Sequence, residues 1–252
     1  MYNQEIFNSG AHLFLRVLRH IWDLGFQMAK SIAMLLQQYG IKSGNLLDLG
    51  CGIGRVAIPL AKMGYNVIGV DRTKLFIDEA NLQAKKFKVE DNVKFINCDY
   101  NQLLEKLRGL SFDGVISVWT SIGFGSEEDD VNALKQALNL SNDNAILILE
   151  VENKLRYAGP PKKWVERYDD LIVYREGFLG EDSRWRSKWT FYSSEGTFLG
   201  EYGDDVRFYS SEELVRIVEK AGWSAITLFS DIFSLKPFNP DSNNIVLVAK
   251  KL

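Results

Sequence analysis

Three things are scarce in this 252-residue sequence: cysteine, an excess of positive charge, and long apolar runs. The two cysteines, Cys51 and Cys98, are too few for a disulfide framework and are typical of a reducing compartment. Thirty Lys and Arg against 33 Asp and Glu leave a net charge of −3, which disfavours nucleic acid as the main partner. No run approaches the roughly 20 uninterrupted apolar residues of a membrane span. We therefore expect a cytoplasmic protein that binds neither nucleic acid nor membrane.

Histidine is scarce as well. The chain has His12 and His20, and no His and Cys residues have the spacing of metal ligands, so no metal is predicted. Both histidines fall in a segment that we expect to be helical. Either could act as a base over a site or serve a structural role, and both alternatives remain open.

The sequence does have 46% hydrophobic residues, arranged as short apolar runs that alternate with amphipathic segments. The runs 46–49, 67–70, 93–96, 114–118 and 145–149 are apolar on both faces, which is typical of a parallel sheet covered by helices. A helical segment over 12–39 is predicted to break at Gly25. Ser126 and Ser210 are predicted to begin later helices, and runs 225–229 and 245–248 to be closing strands.

Between residues 151 and 206 the alternation fails and aromatic residues become dense. The runs 171–174, 185–192 and 197–202 favour β structure, so we expect a small antiparallel β insertion over 151–206. The main domain would then comprise residues 1–150 and 207–252. The aromatic residues either attach the small sheet to that domain or line a pocket, and both alternatives remain open.

A glycine-rich turn comes after the first predicted strand, with Gly50, Gly52 and Gly54 at alternate positions. Such glycines allow a tight turn and a close approach of ligand to backbone. The dinucleotide fingerprint G-x-G-x-x-G would need glycine where Arg55 stands, which weakens an NAD-binding interpretation. Asp48 precedes the turn, and its charge would repel a pyrophosphate but attract an ammonium or sulfonium group.

The segment Leu47-Asp48-Leu49-Gly50-Cys51-Gly52-Ile53-Gly54 resembles the first motif of class I S-adenosylmethionine (SAM)-dependent methyltransferases. Segments 97–100 and 112–116 resemble later motifs of this family. Segments 120–124, 207–209 and 237–242 are similar to a branch with a β insertion after the fifth strand. The resemblance implies an α/β, Rossmann-like, doubly wound seven-stranded sheet in the order 3-2-1-4-5-7-6, with the last strand antiparallel.

The resemblance also implies the roles of individual residues. Asp71 would hold the ribose hydroxyls, and Asp99 with Tyr100 would contact the adenine. The full predicted set for SAM, or its product S-adenosylhomocysteine, is Asp48, Gly50, Cys51, Gly52, Gly54, Arg55, Asp71, Arg72, Asp99, Tyr100, Trp119 and Thr120. The candidates for the substrate pocket are Phe124, Trp164, Trp185, Trp189 and Tyr202.

The segment after the fourth strand constrains the acceptor. Methyltransferases that act on adenine, cytosine or glutamine amides place Asn/Asp-Pro-Pro-Tyr there, whereas residues 119–122 read Trp-Thr-Ser-Ile. We therefore predict methyl transfer to nitrogen or oxygen of a small molecule, with no catalytic residue assigned. The alternatives are a protein or RNA acceptor, a non-catalytic SAM-binding protein and an NAD-linked oxidoreductase.

Overall fold

Eleven strands form two separate sheets in the computed structural model, which describes residues 4–252. In chain order the strands are β1 (Gly44–Leu49), β2 (Tyr65–Asp71), β3 (Val93–Asn97), β4 (Phe112–Ser117), β5 (Ser141–Glu152), β6 (Lys162–Arg167), β7 (Leu171–Leu179), β8 (Arg184–Ser193), β9 (Phe198–Arg207), β10 (Ser224–Phe229) and β11 (Asn244–Lys250).

The larger sheet has the order β3-β2-β1-β4-β5-β11-β10. Strands β1 to β5 pair in parallel, and β11 runs antiparallel to both of its neighbours, β5 and β10. With β10 and β11 as the sixth and seventh strands, this arrangement confirms the predicted order 3-2-1-4-5-7-6. The smaller sheet is an antiparallel meander in the order β6-β7-β8-β9.

Eight helices accompany these strands in the described part of the chain. They are α1 (Ala11–His20), α2 (Trp22–Gln38), α3 (Ala57–Lys62), α4 (Lys74–Phe87), α5 (Leu103–Lys106), α6 (Glu127–Asn139), α7 (Lys154–Tyr157) and α8 (Ser211–Lys220), with short 3-10 helices at Glu5–Phe7 and Tyr100–Gln102. Of the helices between residues 4 and 252, none is both long and apolar enough to cross a membrane.

The strand sequences place helices on both faces of the large sheet. Successive residues of a strand point to opposite faces. Accordingly, Leu46 packs in the apolar cluster that includes α2, α3 and α4, and Leu47 packs in the cluster that includes α5, α6 and α8. Ile148 and Leu149 divide between the same two clusters in β5. The parallel strands are thus buried on both faces, as their unbroken apolar runs predict.

Two helices begin at their predicted capping residues. The Ser126 hydroxyl accepts a hydrogen bond from the Asp129 amide, and the Ser210 hydroxyl accepts one from the Glu213 amide, each in a reciprocal capping box. The predicted break at Gly25 is wrong, because the helix is interrupted at Ile21 and Gly25 lies inside α2. A Cβ atom on Gly25 would lie 2.2 Å from the carbonyl oxygen of Arg55, so this glycine permits close packing.

The small sheet is more extensive than the sequence indicates. Strand β6 is not among the predicted runs, because it comes directly after two prolines and four of its six residues are charged. Strand β5 extends past the predicted boundary at 151 to Glu152, and strand β9 extends past the predicted boundary at 206 to Arg207. The division into 1–150, 151–206 and 207–252 therefore stays a prediction, and residues 1–3 of it lie outside the described residues.

The N-terminal segment joins the two sheets. Leu13, Phe14 and Val17 of α1 share an apolar cluster with Val173 and Trp189 of the small sheet. The rings of Phe14 and Trp189 meet edge to face, with centroids 5.4 Å apart. This packing holds the inner face of the small sheet over the carboxyl ends of the parallel strands, where the candidate site lies.

Candidate functional site

The glycine turn comes after β1 and is held by strand β2. Gly50, Gly52 and Gly54 all have positive φ, at 72°, 53° and 82°, which other residues adopt at a cost. The amides of Gly50 and Cys51 donate to the carbonyl oxygen of Val70 at 2.9 and 3.0 Å. A Cβ atom on Gly52 would meet nothing closer than a Leu18 methyl at 4.0 Å, because this glycine faces an open cavity.

Asp48 lies beneath the turn and is 2% exposed. Its Oδ2 atom has no hydrogen-bond partner among the described residues, although the side chain lines the cavity. Burial, with a contribution from the Asp71 carboxylate, raises the pKa of Asp48 to about 7, and Arg55 opposes the shift. A buried acceptor without a partner is costly, so a ligand that donates to Asp48 would be stabilised here.

Arg55, which stands where the dinucleotide fingerprint would have glycine, is buried beside the same cavity. Its guanidinium lies over the Trp119 ring, 4.6 Å from the centroid, and donates to the carbonyl oxygen of Ile21 at 3.1 Å. Burial lowers the pKa of Arg55 to about 10, and Asp48 and Glu150 oppose the shift. Arg55 therefore connects the glycine turn to the loop after β4.

Asp71 ends β2 and faces the glycine turn. Its Oδ2 accepts a hydrogen bond from the Gly52 amide at 3.0 Å, and its Oδ1 accepts one from the Thr73 amide at 2.8 Å. A carboxylate offers about four acceptor positions, so both oxygens can also accept from a ligand. The neighbouring Arg72 is exposed and hydrogen-bonds the side chain of Gln4.

Asp99 and Tyr100 come after β3 at the same edge of the sheet. Asp99 is exposed and caps a short helix, and its Oδ1 accepts from the Asn101 amide at 3.2 Å. The Tyr100 hydroxyl donates to the carbonyl oxygen of Ser121 at 2.9 Å. Both residues line the cavity that Asp48 and Gly52 line.

The loop after β4 has an uncommon backbone. Trp119 and Thr120 have φ of 61° and 54°, a conformation that non-glycine residues rarely adopt. Glu150 of β5 holds the loop, because its Oε2 accepts from the Trp119 amide at 3.0 Å and its carbonyl oxygen accepts from the Thr120 amide at 3.2 Å. Burial raises the pKa of Glu150 to about 7. Strain of this kind is frequent at functional sites.

The twelve residues predicted to bind the cofactor are thus brought to one edge of the sheet, and all except Gly54 line the cavity. Gly54 instead permits packing, since a Cβ atom there would lie 2.7 Å from the Phe95 ring. The individual binding roles of the other eleven stay predictions.

Of the five candidates for the substrate pocket, Phe124, Trp185 and Trp189 line the cavity. Trp164 and Tyr202 do not. Trp164 packs against the rings of Tyr157 and Trp185, with centroids 6.3 and 5.7 Å away. Tyr202 is covered by the N-terminal segment, where its ring leaves no space for a Cβ atom on Gly10. The structure therefore does not bring these two aromatic residues to the cavity, and a role for them in acceptor binding stays a prediction.

The polar residues at the far end of the cavity are absent from the predicted set. Glu152 ends β5 and Tyr157 ends α7, while Glu166, Arg175 and Asp204 come from three strands of the small sheet. The Tyr157 hydroxyl donates to Glu152 at 2.8 Å. Nothing in the local sequence marks these residues, because the register of long-range strand pairs brings them together.

Neither histidine lies at the site. His12 is exposed, and its Nδ1 atom contacts the carbonyl oxygen of Ser9. His20 is also exposed, and its Nε2 atom lies 2.6 Å from Asp170 Oδ1. Neither histidine lines the cavity, although the His20 ring stacks on that of Tyr168, which does. The two alternatives for the histidines therefore stay open. Between residues 4 and 252 no group of three or more His, Cys, Asp or Glu side chains could hold a metal ion.

Comparison with known proteins identifies the class. The model of the methyltransferase domain family matches residues 42–172, just over half of the chain. The chain therefore belongs to the class I SAM-dependent methyltransferase family and is a SAM-dependent methyltransferase. A methyltransferase from Geobacillus sp. (strain WCH70) is 26% identical over 240 residues, which cover 86% of this chain and 88% of that protein.

Solved structures share the fold. A SAM-dependent methyltransferase from Clostridium acetobutylicum superposes with a TM-score of 0.79 at 17% identity, covering 97% of this chain and 98% of that one. A SAM-bound amino pentose methyltransferase from Micromonospora echinaspora gives a TM-score of 0.72 at 17% identity, covering 95% and 97%. SAM is the cofactor of this family. The unpartnered Asp48 oxygen fits a positively charged ligand, and the open space at Gly52 fits a ligand that approaches the backbone closely.

Proposed function

We propose that this methyltransferase transfers a methyl group to nitrogen or oxygen of a small-molecule acceptor. The observation that carries the proposal is a continuous cavity of about 690 Å³ that joins the glycine turn to the inner face of the small sheet. Small-molecule sites have volumes of roughly 300–1,000 Å³ and combine aromatic walls with a few polar groups. Cofactor and acceptor would share this cavity.

The cofactor would occupy the end formed by the large sheet. We assign the ammonium group of its methionine part to Asp48, because that buried carboxylate has a free acceptor position. The ribose hydroxyls are assigned to Asp71, and the adenine to Asp99 and Tyr100, which come after the next strand along the sheet edge. When bound, SAM supplies an activated methyl group on a sulfonium.

The protein's own contribution is to enclose and orient the acceptor. Phe14, Phe124 and Trp189 line the cavity between the two sheets, and α1 covers it from the N-terminal side. Holding an acceptor atom in line with a reactive carbon and excluding water can supply much of the rate enhancement of such a displacement. An amine acceptor can lose its proton to solvent and needs no general base, whereas a hydroxyl acceptor would need one.

The segment 151–206 would cover the substrate side and set the choice of acceptor. Its residues Trp185, Trp189 and Asp204 line the cavity, whereas the glycine turn and Asp71 belong to the other end. The open edge of an α/β sheet, beyond the carboxyl ends of its strands, is where ligands of this architecture bind. Variants of the small sheet should therefore change acceptor turnover more than cofactor affinity.

A small acceptor is favoured over a macromolecule by charge and enclosure. The net charge is −3, and eight carboxylate residues but only three arginines are found among the described residues that line the cavity. Such a surface does not attract a phosphate backbone. The similarity to an amino pentose methyltransferase supports a small acceptor, and the buried thiols of Cys51 and Cys98 are consistent with the proposed cytoplasmic location.

The test is transfer of deuterated methyl from labelled SAM into a cell extract, which is then separated into small molecules, protein and RNA. We expect small-molecule features that gain the mass of one deuterated methyl group. Label confined to protein or RNA would overturn the proposal, and SAM binding without any transfer would indicate a non-catalytic binding protein. The matched control is the Gly52→Val variant, which we expect to lose the cofactor.

A further inference from the structure

The inner face of the small sheet carries a polar group that cofactor binding does not use. In the strand register, Asp204 of β9 lies opposite Ser187 of β8, and Arg175 of β7 lies opposite Trp189 of β8. Ser187 and Trp189 are two positions apart on β8. Alternate residues of a strand share a face, so Arg175 and Asp204 face the cavity together. Glu166 of β6 lies at the same end of the cavity.

Asp204 is only 9% exposed, and its Oδ1 atom has no hydrogen-bond partner among the residues that the structure describes. Burial raises the pKa of Asp204 to about 6, while Arg175, the Asp205 amide and Arg72 oppose the shift. A buried carboxylate oxygen without a donor is rare, because hydrogen bonds normally offset the loss of hydration. This atom therefore marks a position at which a ligand group would donate.

Arg175 does not fill that position. Its guanidinium lies over the Trp189 ring at 3.8 Å from the centroid, and its Nη1 is 3.4 Å from Glu166 Oε1. The other carboxylate at this end, Glu152, accepts from the Tyr157 hydroxyl at 2.8 Å. Asp204 thus differs from both neighbouring carboxylates in having a buried oxygen that no described donor reaches.

We propose that Asp204 holds an amino group of the acceptor, so that the substrates of this enzyme are amine-bearing small molecules. The inference rests on the proposed function and narrows its acceptor class. A protonated amine is favoured over a hydroxyl because it gains Coulomb attraction to a buried carboxylate in addition to the hydrogen bond. Where the same nitrogen accepts the methyl group, it first releases one proton, to Asp204 or to solvent, so that its lone pair can attack the methyl carbon. Of the described residues that line the cavity at this end, three are carboxylates, Glu152, Glu166 and Asp204, and one is an arginine, Arg175.

The experiment compares the wild type with Asp204→Asn and with Glu201→Gln. Glu201 lies on the same strand but is exposed, and it contacts Thr190 and Lys188 on the outer face. Both substitutions replace a carboxylate with an amide of the same size. Each enzyme is incubated with deuterated SAM and cell extract, and fragmentation of the labelled small molecules locates the methyl group and any free amine.

We expect the labelled products to carry an amino group. Their yield should fall roughly 10- to 100-fold in Asp204→Asn and stay within about twofold in Glu201→Gln, since hydrogen bonds to charged groups have effects of this size. The affinity for S-adenosylhomocysteine, measured by calorimetry, should be unchanged in both variants. Labelled small molecules that lack an amine, or equal yields from wild type and Asp204→Asn, would overturn the inference but leave the proposed function standing.

Two further outcomes are decisive. The absence of any labelled small molecule would overturn the proposed function and this inference with it. If Asp204→Asn also loses affinity for S-adenosylhomocysteine, the variant cannot test the acceptor site, and the wild-type enzyme is used instead. Its affinity is measured for the identified amine and for the N-acetylated form of that amine. We expect N-acetylation to weaken binding at least about tenfold. Equal binding of the amine and its acetylated form would then overturn the inference.

Discussion

The two ends of the cavity are built in different ways. At the cofactor end, a short stretch of sequence supplies the turn, and most of the contacts that fix it involve backbone, such as the Gly50 amide on Val70 and the Gly52 amide on Asp71. At the acceptor end, Glu166, Arg175 and Asp204 come from three different strands, and the strand register brings them to one face of the small sheet. Local sequence therefore encodes the glycine turn of the cofactor end, and strand register encodes the acceptor end.

This difference predicts which variants affect which ligand. The largest effect should come from Gly52→Val, because the new side chain would occupy the space that the ligand needs. We expect SAM affinity to fall more than roughly 100-fold by calorimetry. Gly64→Val is the control, since Gly64 also has positive φ and open surroundings but is exposed and lies outside the cavity. If both variants lose the same SAM affinity, backbone strain rather than the occupied ligand space explains the loss.

A smaller loss is expected for Asp71→Ala. Removing the carboxylate leaves the Gly52 amide and the ribose hydroxyls without an acceptor, at a cost of about 1–3 kcal/mol, or roughly 5- to 150-fold in cofactor affinity. Asp78→Ala, which removes an exposed ion pair with Lys74, should leave the affinity unchanged. Unchanged affinity in a folded Asp71→Ala protein would mean that Asp71 is not the ribose ligand.

Asp48 should make cofactor binding depend on pH. Its carboxyl has a pKa of about 7 in the folded protein, and only the ionised form attracts an ammonium group. The affinity for SAM should therefore rise as pH increases from about 6 to about 8 and be lower and nearly flat in Asp48→Asn. A wild-type affinity that does not change across this range would contradict the assignment of Asp48 to the ammonium.

The same residue links cofactor binding to stability. Because the pKa of Asp48 is raised on folding, the folded state binds more protons than the unfolded state between about pH 4 and pH 7, so stability is lost as pH rises through this window. Asp48→Asn should thus increase the free energy of unfolding at about pH 8, by an amount on the order of 4 kcal/mol, and have little effect at about pH 4. Denaturant unfolding at both pH values measures this difference.

The smallest effect is expected for His20→Gln. The imidazole is exposed, pairs with Asp170 and lies outside the cavity, so turnover should change by less than about twofold and stability by less than about 1 kcal/mol. Steady-state kinetics on the identified acceptor provides the measurement. A large loss of turnover with normal cofactor affinity would identify the histidine as a catalytic group.

The same contrast explains how far sequence alone could predict the structure. Buried strands, capping residues and the glycine turn are local features, and they indicate a parallel sheet covered by helices. The order of its strands and the grouping of Asp48, Gly52 and Asp71 at one edge come from the family resemblance. Strand β6 escapes prediction because its four charged residues, next to two prolines, are a weak strand signal. Gly25 is misinterpreted because a helix-breaking glycine and a close-packing glycine are identical in sequence, and only the proximity of Arg55 distinguishes them.

The acceptor end could not be derived in this way. Aromatic density points equally to Trp164, Trp185, Trp189 and Tyr202. In the structure Trp185 and Trp189 line the cavity, whereas other aromatic rings and the N-terminal segment cover Trp164 and Tyr202. Asp204 has no local motif at all. Its importance rests on an unpartnered oxygen, which is visible only once four strands and the end of β5 are placed around it.

A crystal structure with S-adenosylhomocysteine bound would show directly whether the glycine turn and its two aspartates hold the cofactor. We predict that the ligand's amino nitrogen lies about 3 Å from an Asp48 oxygen, its ribose hydroxyls contact Asp71, and its sulfur faces the cavity toward the small sheet. A ligand bound with neither Asp48 nor Asp71 in contact, or with its sulfur directed away from Trp185, Trp189 and Asp204, would contradict these assignments.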